Sequence, residues 1–184
     1  MKKLSPILIL SLLFLSIGFS QQEYNTNDLI EMDNGLWTEK FSDEPITGKV
    51  YGYYGEDNNP KKVYVGNIRN GKKEGKWVDY YHTTGKKSSE YNFKDGKEDG
   101  LVTYWYQNGQ KQSESTYKDD KRDGIFTIWY KNGQKKFEWN FKEGKRDGLE
   151  TQWYENGQKK FEGVYKDGEL ISENRWNEDG SVKE

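Results

Sequence analysis

The sequence contains no cysteine and a single histidine, His82, among its 184 residues. Without cysteine the chain can form neither disulfides nor thiolate metal sites, and it cannot carry a lipid on an N-terminal cysteine. The one histidine lies in a predicted turn and cannot form a metal site alone. It is also not accompanied by the Gly-x-Ser-x-Gly motif of serine hydrolases. We therefore expect no metal, no cofactor and no catalytic residues, and we interpret the protein as non-enzymatic.

The charged residues show no excess of one sign, with 29 Lys and Arg against 31 Asp and Glu. Positive and negative side chains alternate along the chain and form no basic tract of the kind that binds phosphates, so nucleic acid is not an expected partner. Acidic pairs such as Asp119 and Asp120 recur at regular intervals beside Lys and Arg. We interpret them as solvated turns rather than as catalytic or calcium-binding carboxylates.

Long apolar runs are missing except at the N-terminus. Two lysines precede the apolar stretch Leu4–Ile17, and the small residues Gly18 and Ser20 lie three and one positions before a predicted cleavage at Gln21. This arrangement predicts a secretory signal peptide over residues 1–20, because the stretch is short and its flanks differ from those of a stable anchor. The alternative is an uncleaved membrane anchor. The expected location is periplasmic, extracellular or at the cell surface.

Aromatic residues are abundant, with 7 Trp, 14 Tyr and 8 Phe, and most of them recur with a period of 24 residues. Disordered chains are poor in such residues. Three copies of one phrase cover residues 100–123, 124–147 and 148–171, and an earlier copy starts at Gly75 with one extra residue before Gly85. A fixed period of this length indicates a repeat array, in which each unit is too small to bury a core alone.

Each repeat has the pattern of a β-hairpin. A run rich in β-branched and aromatic residues, such as Ile125–Tyr130, precedes an Asn-Gly pair, which is a strong hairpin signal. The run that follows alternates, with Phe137, Trp139 and Phe141 on one side. The pattern predicts an all-β, elongated repeat array of antiparallel hairpins over residues 47–184, with a truncated last repeat, preceded by a lead-in segment over 21–46. We expect one continuous meander sheet from about Thr47 to Trp176.

The sequence permits two types of turn at the Asn-Gly pair, and they bury different sides of the first run. A two-residue turn would place Glu150 and Gln152 beside Phe161, whereas a three-residue turn with a glycine bulge would place the recurring trio of Leu or Ile, Thr and Trp there. We favour the second register, because it buries the trio that the repeats share and makes the recurring tryptophans part of the core. In the third repeat the trio is Leu149, Thr151 and Trp153.

In the favoured register, the other apolar residues of the first run point outward in two consecutive repeats. The third repeat has Glu150 and Gln152 at two of these positions, so the fold does not require them to be apolar. An exposed aromatic patch usually marks a contact surface. The alternative is a set of cross-strand pairs that only stiffen the sheet. The candidate partner-binding residues are Tyr104, Tyr106, Phe126, Ile128 and Tyr130.

Two stretches of the sequence together resemble the MORN repeat: FEWNFKEGKRDGLETQWYENG, residues 137–157, and FEGVYKDGE, residues 161–169. The repeats are also similar to the 24-residue bacterial variant that is typical of the YwqK family of antitoxins. In that family a piece resembling DEPITGKVYGYY, residues 43–54 of this chain, precedes the repeat array. The resemblance extends over residues 35–180 and departs from the pattern at Asp120 and Trp139, where glycine is usual. It implies a sheet of hairpins with a protein- or lipid-contact role, and an antitoxin or immunity-like function. The positions that match the MORN pattern are Phe161, Gly163, Tyr165 and Gly168, and Gly148, Tyr154, Asn156 and Gly157.

Together these observations predict an exported repeat scaffold that binds an unidentified protein partner. Membrane contact without spanning is compatible with the resemblance. The alternative function is a cell-surface carbohydrate-binding module, since aromatic, glycine-punctuated repeats also resemble the wall-binding repeats of secreted bacterial proteins. The dense charges of Glu173–Glu184 predict that this segment protects the open edge of the sheet and that the protein is monomeric.

Overall fold

A computed structural model describes residues 22–55 and 58–183, so the predicted signal peptide lies outside the described residues. The described chain consists of strands and turns with one short 3-10 helix, Thr26–Asp28, and it contains no helix that is long and apolar enough to span a membrane. The strands are β1 Glu23–Asn25, β2 Leu29–Glu31, β3 Trp37–Glu39, β4 Gly48–Tyr54, β5 Lys61–Arg69, β6 Lys72–Tyr80, β7 Lys87–Lys94, β8 Lys97–Glu98, β9 Gly100–Trp105, β10 Lys111–Lys118, β11 Lys121–Trp129, β12 Lys135–Lys142, β13 Lys145–Trp153, β14 Lys159–Lys166 and β15 Glu169–Arg175.

Thirteen of these strands form one open sheet in which the repeats lie side by side in chain order. From β4 to β15 each strand pairs antiparallel with the next, and the short β8 adds to β7. The predicted all-β array of antiparallel hairpins is therefore confirmed. Two features were not predicted. Strand β1 joins the sheet parallel to β4, and β2 and β3 form a separate two-stranded sheet.

The tightest turns lie between repeats rather than at the Asn-Gly pairs. Lys142 pairs with Lys145, which leaves only Glu143 and Gly144 in the loop. Both have positive φ, 49° and 85°. Positive φ at both central positions defines the type I′ turn, whose twist matches that of the flanking strands. The same two-residue turn joins β10 to β11 and β14 to β15.

The Asn-Gly pairs lie in three-residue loops, as the sequence analysis favoured. The Tyr154 backbone N–H donates to the Gln158 carbonyl at 2.9 Å, and the Gly157 N–H donates to the Tyr154 carbonyl at 3.0 Å. Gly157 has a φ of 86°, a conformation that glycine adopts without a steric penalty. This is the three-residue hairpin loop that ends in a left-handed glycine.

The favoured register is nevertheless wrong, because a second bulge follows the loop. Trp153 pairs with Lys159, but the next pair is Gln152 with Phe161, so Lys160 is an extra residue in its strand. The loop shifts the register by one residue and the bulge shifts it back. Glu150 and Gln152 therefore share a face with Phe161, and the Leu-Thr-Trp trio lies on the other side. The two preceding repeats have the same bulge.

The sheet consequently has two chemically distinct sides. We call the side that carries Phe137 and Trp139 the aromatic face and the side that carries the trio the threonine face. Directly opposed residues of antiparallel strands share a side, which assigns the others. From β9 to β14, the aromatic face includes Val102, Tyr104, Ser115, Tyr117, Arg122, Phe126, Ile128, Phe137, Trp139, Phe141, Arg146, Glu150, Gln152, Phe161 and Tyr165.

The buried core lies at the N-terminal end of the sheet, where the lead-in segment packs on the aromatic face. Tyr24, Leu29 and Ile46 join Val50 and Trp77 in this core, together with Val65 and Ile68, and each is at most 8% exposed. Tyr91 and Phe93 pack against its border. Within the described ranges the lead-in strands make no extensive contact with β9 to β15. The aromatic face is thus covered at one end and open along the three complete repeats.

Candidate protein-contact face

A tightly packed aromatic cluster occupies the open part of the aromatic face. The rings of Phe137 and Trp139 stack with centroids 4.8 Å apart and an angle of 6° between their planes. Phe126 stacks on the Trp139 ring at 5.1 Å, and Phe141 lies 6.3 Å from Phe126. Side-by-side stacking on the two neighbouring strands β11 and β12 reduces the contact of these rings with water. We call these four residues the aromatic cluster.

Arg122 lies on top of this cluster. Its guanidinium carbon is 4.3 Å from the Phe126 ring centroid, 5.6 Å from that of Phe141 and 5.7 Å from that of Tyr117. Cations are attracted to aromatic faces at such distances. Within residues 22–55 and 58–183, no carboxylate comes within ion-pair distance of Arg122. The guanidinium therefore contacts rings rather than a carboxylate. Glu98 interacts with it at longer range, where the Arg122 charge offsets part of the rise that burial causes in the pKa of Glu98.

Arg146 occupies the same position one repeat later and has a different environment. Its Nη1 donates to Glu150 Oε2 at 3.0 Å and to the Tyr165 hydroxyl at 3.4 Å. Glu150 is only 3% exposed, and it also accepts a 2.6 Å hydrogen bond from Gln152 Nε2. Phe126 takes the place of Glu150 in the preceding repeat. That exchange removes the internal counter-ion of Arg122.

Three buried polar atoms near Phe126 have no hydrogen-bond partner among the described residues: Ser115 Oγ, Arg122 Nε and Trp139 Nε1. Ser115 and Trp139 lie directly opposite Phe126 on the two neighbouring strands, so the residues form one row across the face. Nε of Arg and Nε1 of Trp can only donate, and a serine hydroxyl can donate as well. Two of the three buried atoms can therefore only donate, and the serine hydroxyl can donate or accept.

Tyr104 marks the boundary between the covered and the open parts of the aromatic face. Its ring meets that of Tyr91 edge to face, with centroids 5.7 Å apart and planes at 85°. Burial raises the pKa of the Tyr104 hydroxyl, and the neighbouring Tyr91 raises it further. Tyr104 is still 39% exposed, so it contacts both the core border and solvent.

The five candidate residues fall into two groups. Tyr104, Phe126 and Ile128 lie on the aromatic face, so the prediction that they point away from the Phe137 row is wrong. Tyr106 and Tyr130 lie directly after the last residues of β9 and β11. Their hydroxyls donate to backbone carbonyls of the next repeat, Tyr106 to Trp129 at 2.8 Å and Tyr130 to Trp153 at 2.9 Å. The second group therefore links repeats and presents little free surface to a partner.

The sequence analysis missed Arg122, Ser115 and Trp139. A signal for Arg122 was available in the repeats themselves. When the second and third copies are aligned, both have the arginine, but the glutamate four residues later is replaced by phenylalanine in the second. The positions of Ser115 and Trp139 relative to Phe126 depend on the register, which the sequence analysis assigned incorrectly.

The polar and charged side chains of the threonine face contact one another and the tryptophan rings in an arrangement that recurs along the repeats. The tryptophans predicted to be core are half-buried there, and Lys111 Nζ lies 5.7 Å from the Trp129 ring centroid. Lys111 also forms an ion pair with Glu114. Thr127 donates a weak 3.4 Å hydrogen bond to Glu138, whose position corresponds to Glu114 one repeat later. The exposed apolar residues on this side include Leu101, Ile125 and Leu149, one per repeat, and Val164, which lies directly opposite Leu149.

No group of three or more potential ligands that could hold a metal ion occurs in the described ranges. A cleft of about 640 Å³ lies between the lead-in segment and β5 and is lined by Tyr24, Glu39, Ile46 and Arg69 among others. It is remote in sequence and in the sheet from the aromatic cluster.

Comparison with known protein families gives a match within the repeats. Three segments match the MORN repeat variant. They comprise residues 98–119, 122–143 and 146–167. No curated protein matches the chain. Each MORN repeat variant segment contains one strand, an Asn-Gly loop and the following strand, and the second begins at Arg122. The aromatic cluster lies within this second segment. These repeats are thus similar to the MORN repeat variant, whereas the resemblance to the antitoxin family stays a prediction.

Proposed function

We propose that the protein is an exported, non-enzymatic and monomeric scaffold that binds a protein partner through the open part of its aromatic face. The observation that carries this proposal is the aromatic cluster, which lies on an uncovered sheet between Tyr104 and Phe161. The lead-in segment covers the same face at β5 to β7, where side chains such as Trp77 are buried. A partner would extend that cover along the repeats.

The composition of the face supports a protein ligand. Aromatic residues and arginine are enriched where proteins contact one another, and they dominate the binding energy when they cluster at the centre. The aromatic face combines Phe126 and Trp139 with Arg122 in such a cluster. A toxin or another exported protein is the kind of partner that the resemblance implies, in keeping with an antitoxin or immunity-like role.

Carbohydrate binding, the alternative, is less well supported by the ring geometry. A sugar stacks on the free flat side of an aromatic ring. The Trp139 ring is stacked against Phe137 on one neighbour and against Phe126 on the other. On the threonine face, lysines lie over the rings of Trp105, Trp129 and Trp153.

The monomeric state is proposed from the end of the array. Strand β15 is exposed along its whole length, and its outer edge is open apart from Val182 and Lys183. Lys183 N–H donates to the Arg175 carbonyl at 2.8 Å. Glu173 and Arg175 form an ion pair on the same strand. Charges along an edge disfavour pairing with another chain.

The test is capture of partners from the producing organism with immobilised chain 21–184 and a face variant. Phe126→Glu with Ile128→Gln gives the second repeat the residues that the third repeat has at Glu150 and Gln152, so the fold tolerates them in an equivalent position. The matched control is Ile125→Thr, which changes a 53% exposed side chain on the threonine face of the same strand.

We expect the double variant to lose partner capture and the Ile125→Thr control to retain it. Circular dichroism and a melting curve establish that both variants are folded. Undiminished capture by a folded double variant would place the contact elsewhere and overturn the proposal. Loss in the control alone would assign the contact to the threonine face and overturn it equally.

A further inference from the structure

We infer that the partner presents a carboxylate beside an apolar side chain, and that Arg122 binds this carboxylate over the aromatic cluster. The inference rests on the proposed function, because it names the chemistry of the ligand for the same face. It is carried by the juxtaposition of an arginine that has no ion-pair partner among the described residues and a stacked cluster of aromatic rings.

The third repeat contains the kind of contact that the second repeat lacks. Arg146 forms an ion pair at 3.0 Å with the carboxylate of Glu150, which lies four residues later in the same strand. Arg122 has Phe126 at that position, and its guanidinium lies over the ring instead. A planar guanidinium matches a carboxylate with two parallel N–H donors. The second repeat therefore presents a half-buried arginine that has no ion-pair partner among the described residues and is open to an acceptor from a partner.

The terminal nitrogens of Arg122 favour the same chemistry. Ser115 Oγ, Arg122 Nε and Trp139 Nε1 are buried without a partner among the described residues. These three atoms lie beneath the surface, whereas the two terminal nitrogens of the Arg122 guanidinium are not buried in this way and can only donate. A carboxylate has acceptor sites for about four hydrogen bonds and no donor. It fits this guanidinium, whereas an ammonium or a second guanidinium group does not.

The rings of the aromatic cluster favour an apolar side chain in the partner beside the carboxylate. Phe126, Phe137 and Trp139 form an apolar surface directly beside Arg122, and their stack leaves the ring edges for contact. An apolar side chain next to the carboxylate would cover these edges and exclude water from the ion pair. Exclusion of water strengthens the electrostatic interaction. The preferred segment therefore alternates acidic and apolar residues.

The experiment uses nuclear magnetic resonance of the mature chain, because each of the 7 tryptophans has one indole N–H signal. The probe is the acetylated, amidated peptide Phe-Glu-Phe-Glu-Phe, and its neutral counterpart is Phe-Gln-Phe-Gln-Phe. The Trp139 signal is assigned with Trp139→Phe. We expect the acidic peptide to shift this signal in a saturable way and the neutral peptide to bind at least tenfold more weakly.

Arginine variants provide the matched comparison. Arg122→Gln should weaken binding of the acidic peptide at least tenfold, and Arg122→Lys should restore only part of it, because lysine keeps the charge without the planar pair of donors. Arg175→Gln is the control, since Arg175 also lies over a ring, 4.9 Å from the Phe161 centroid, but already has Glu173 as a partner. This control should change the affinity by less than twofold.

Two outcomes overturn the inference: equal binding of both peptides, or binding that is unchanged by Arg122→Gln. Absence of a Trp139 shift with the acidic peptide overturns it as well. Partner capture separates this failure from failure of the proposed function. If Arg122→Gln retains the captured partner while Phe126→Glu with Ile128→Gln loses it, the aromatic face is the contact and its partner lacks the carboxylate.

Discussion

Replacing Tyr130 with phenylalanine tests how the repeats are held together. The Tyr130 hydroxyl donates to the Trp153 carbonyl in the following repeat at 2.9 Å. Equivalent bonds join Tyr81 to Trp105, Tyr106 to Trp129 and Tyr154 to Trp176, at 2.6, 2.8 and 3.0 Å. The substitution removes one oxygen atom and leaves the ring, so the change in stability reports the hydrogen bond between repeats.

The expected cost follows from the environment of the bond. A hydrogen bond between uncharged groups contributes about 1 kcal/mol net to the free energy of unfolding. Tyr130 is half-buried, so water can reach the Trp153 carbonyl after the change, and the cost stays near that value. Tyr106→Phe should cost the same, and the double variant about 2 kcal/mol, because the two hydroxyls bind different carbonyls one repeat apart.

Urea unfolding followed by tryptophan fluorescence measures the effect. With a slope of about 1–3 kcal/mol per M, a loss of about 1 kcal/mol lowers the midpoint by about 0.3–1 M. The control is Tyr53→Phe, whose side chain is 45% exposed and makes no hydrogen bond among the described residues. A Tyr130→Phe midpoint equal to that of the control would refute the conclusion that these hydroxyls couple neighbouring repeats.

Three further predictions concern burial, pH and processing. Glu150→Ala should cost about 2–3 kcal/mol in unfolding free energy, because Glu150 is 3% exposed and hydrogen-bonded to Arg146, while the more exposed Glu162→Ala should cost less than about 1 kcal/mol. Equal urea midpoints would contradict this. Burial raises the folded-state pKa of Tyr104 above its unfolded value, so its stabilisation is complete below about pH 10 and is lost as the pH rises further. Tyr104→Phe should therefore show a smaller fall in urea midpoint between about pH 9 and 11 than the unaltered chain. Mass spectrometry of protein from the producing organism should find a chain that starts near Gln21, and intact Met1 in a soluble cytoplasmic fraction would exclude cleavage.

Much of the fold follows from local signals in the sequence. The 24-residue period indicates a repeat array, the alternation of Phe137, Trp139 and Phe141 indicates a half-buried strand, and the Asn-Gly pairs predict the hairpin loops. The three-residue loop at Gly157 was also predicted, because a left-handed glycine at the end of a loop is a property of a few adjacent residues. These features require no knowledge of distant contacts.

The faces of the sheet were decided only by tertiary structure. Nothing in the local pattern marks Lys160 as the extra residue of a bulge, because a lysine is acceptable on either side of a strand. A one-residue shift reverses every side chain of the strand, so the missed bulge moved the tryptophan trio to the wrong face. In the observed register Phe126 stacks on Trp139 across the β11–β12 strand pair, a gain that depends on the pairing of the two strands and not on the pattern within either one.

The sequence by itself thus determined the repeats, the hairpins and their loops, since these depend on backbone preferences and on periodicity within one repeat. Tertiary structure decided which side chains share a surface and where that surface is covered. The lead-in segment buries one end of the aromatic face through contacts between residues far apart in the chain, such as Tyr24 and Trp77. The environment of Arg122 arises in the same way, because its neighbours come from three different strands.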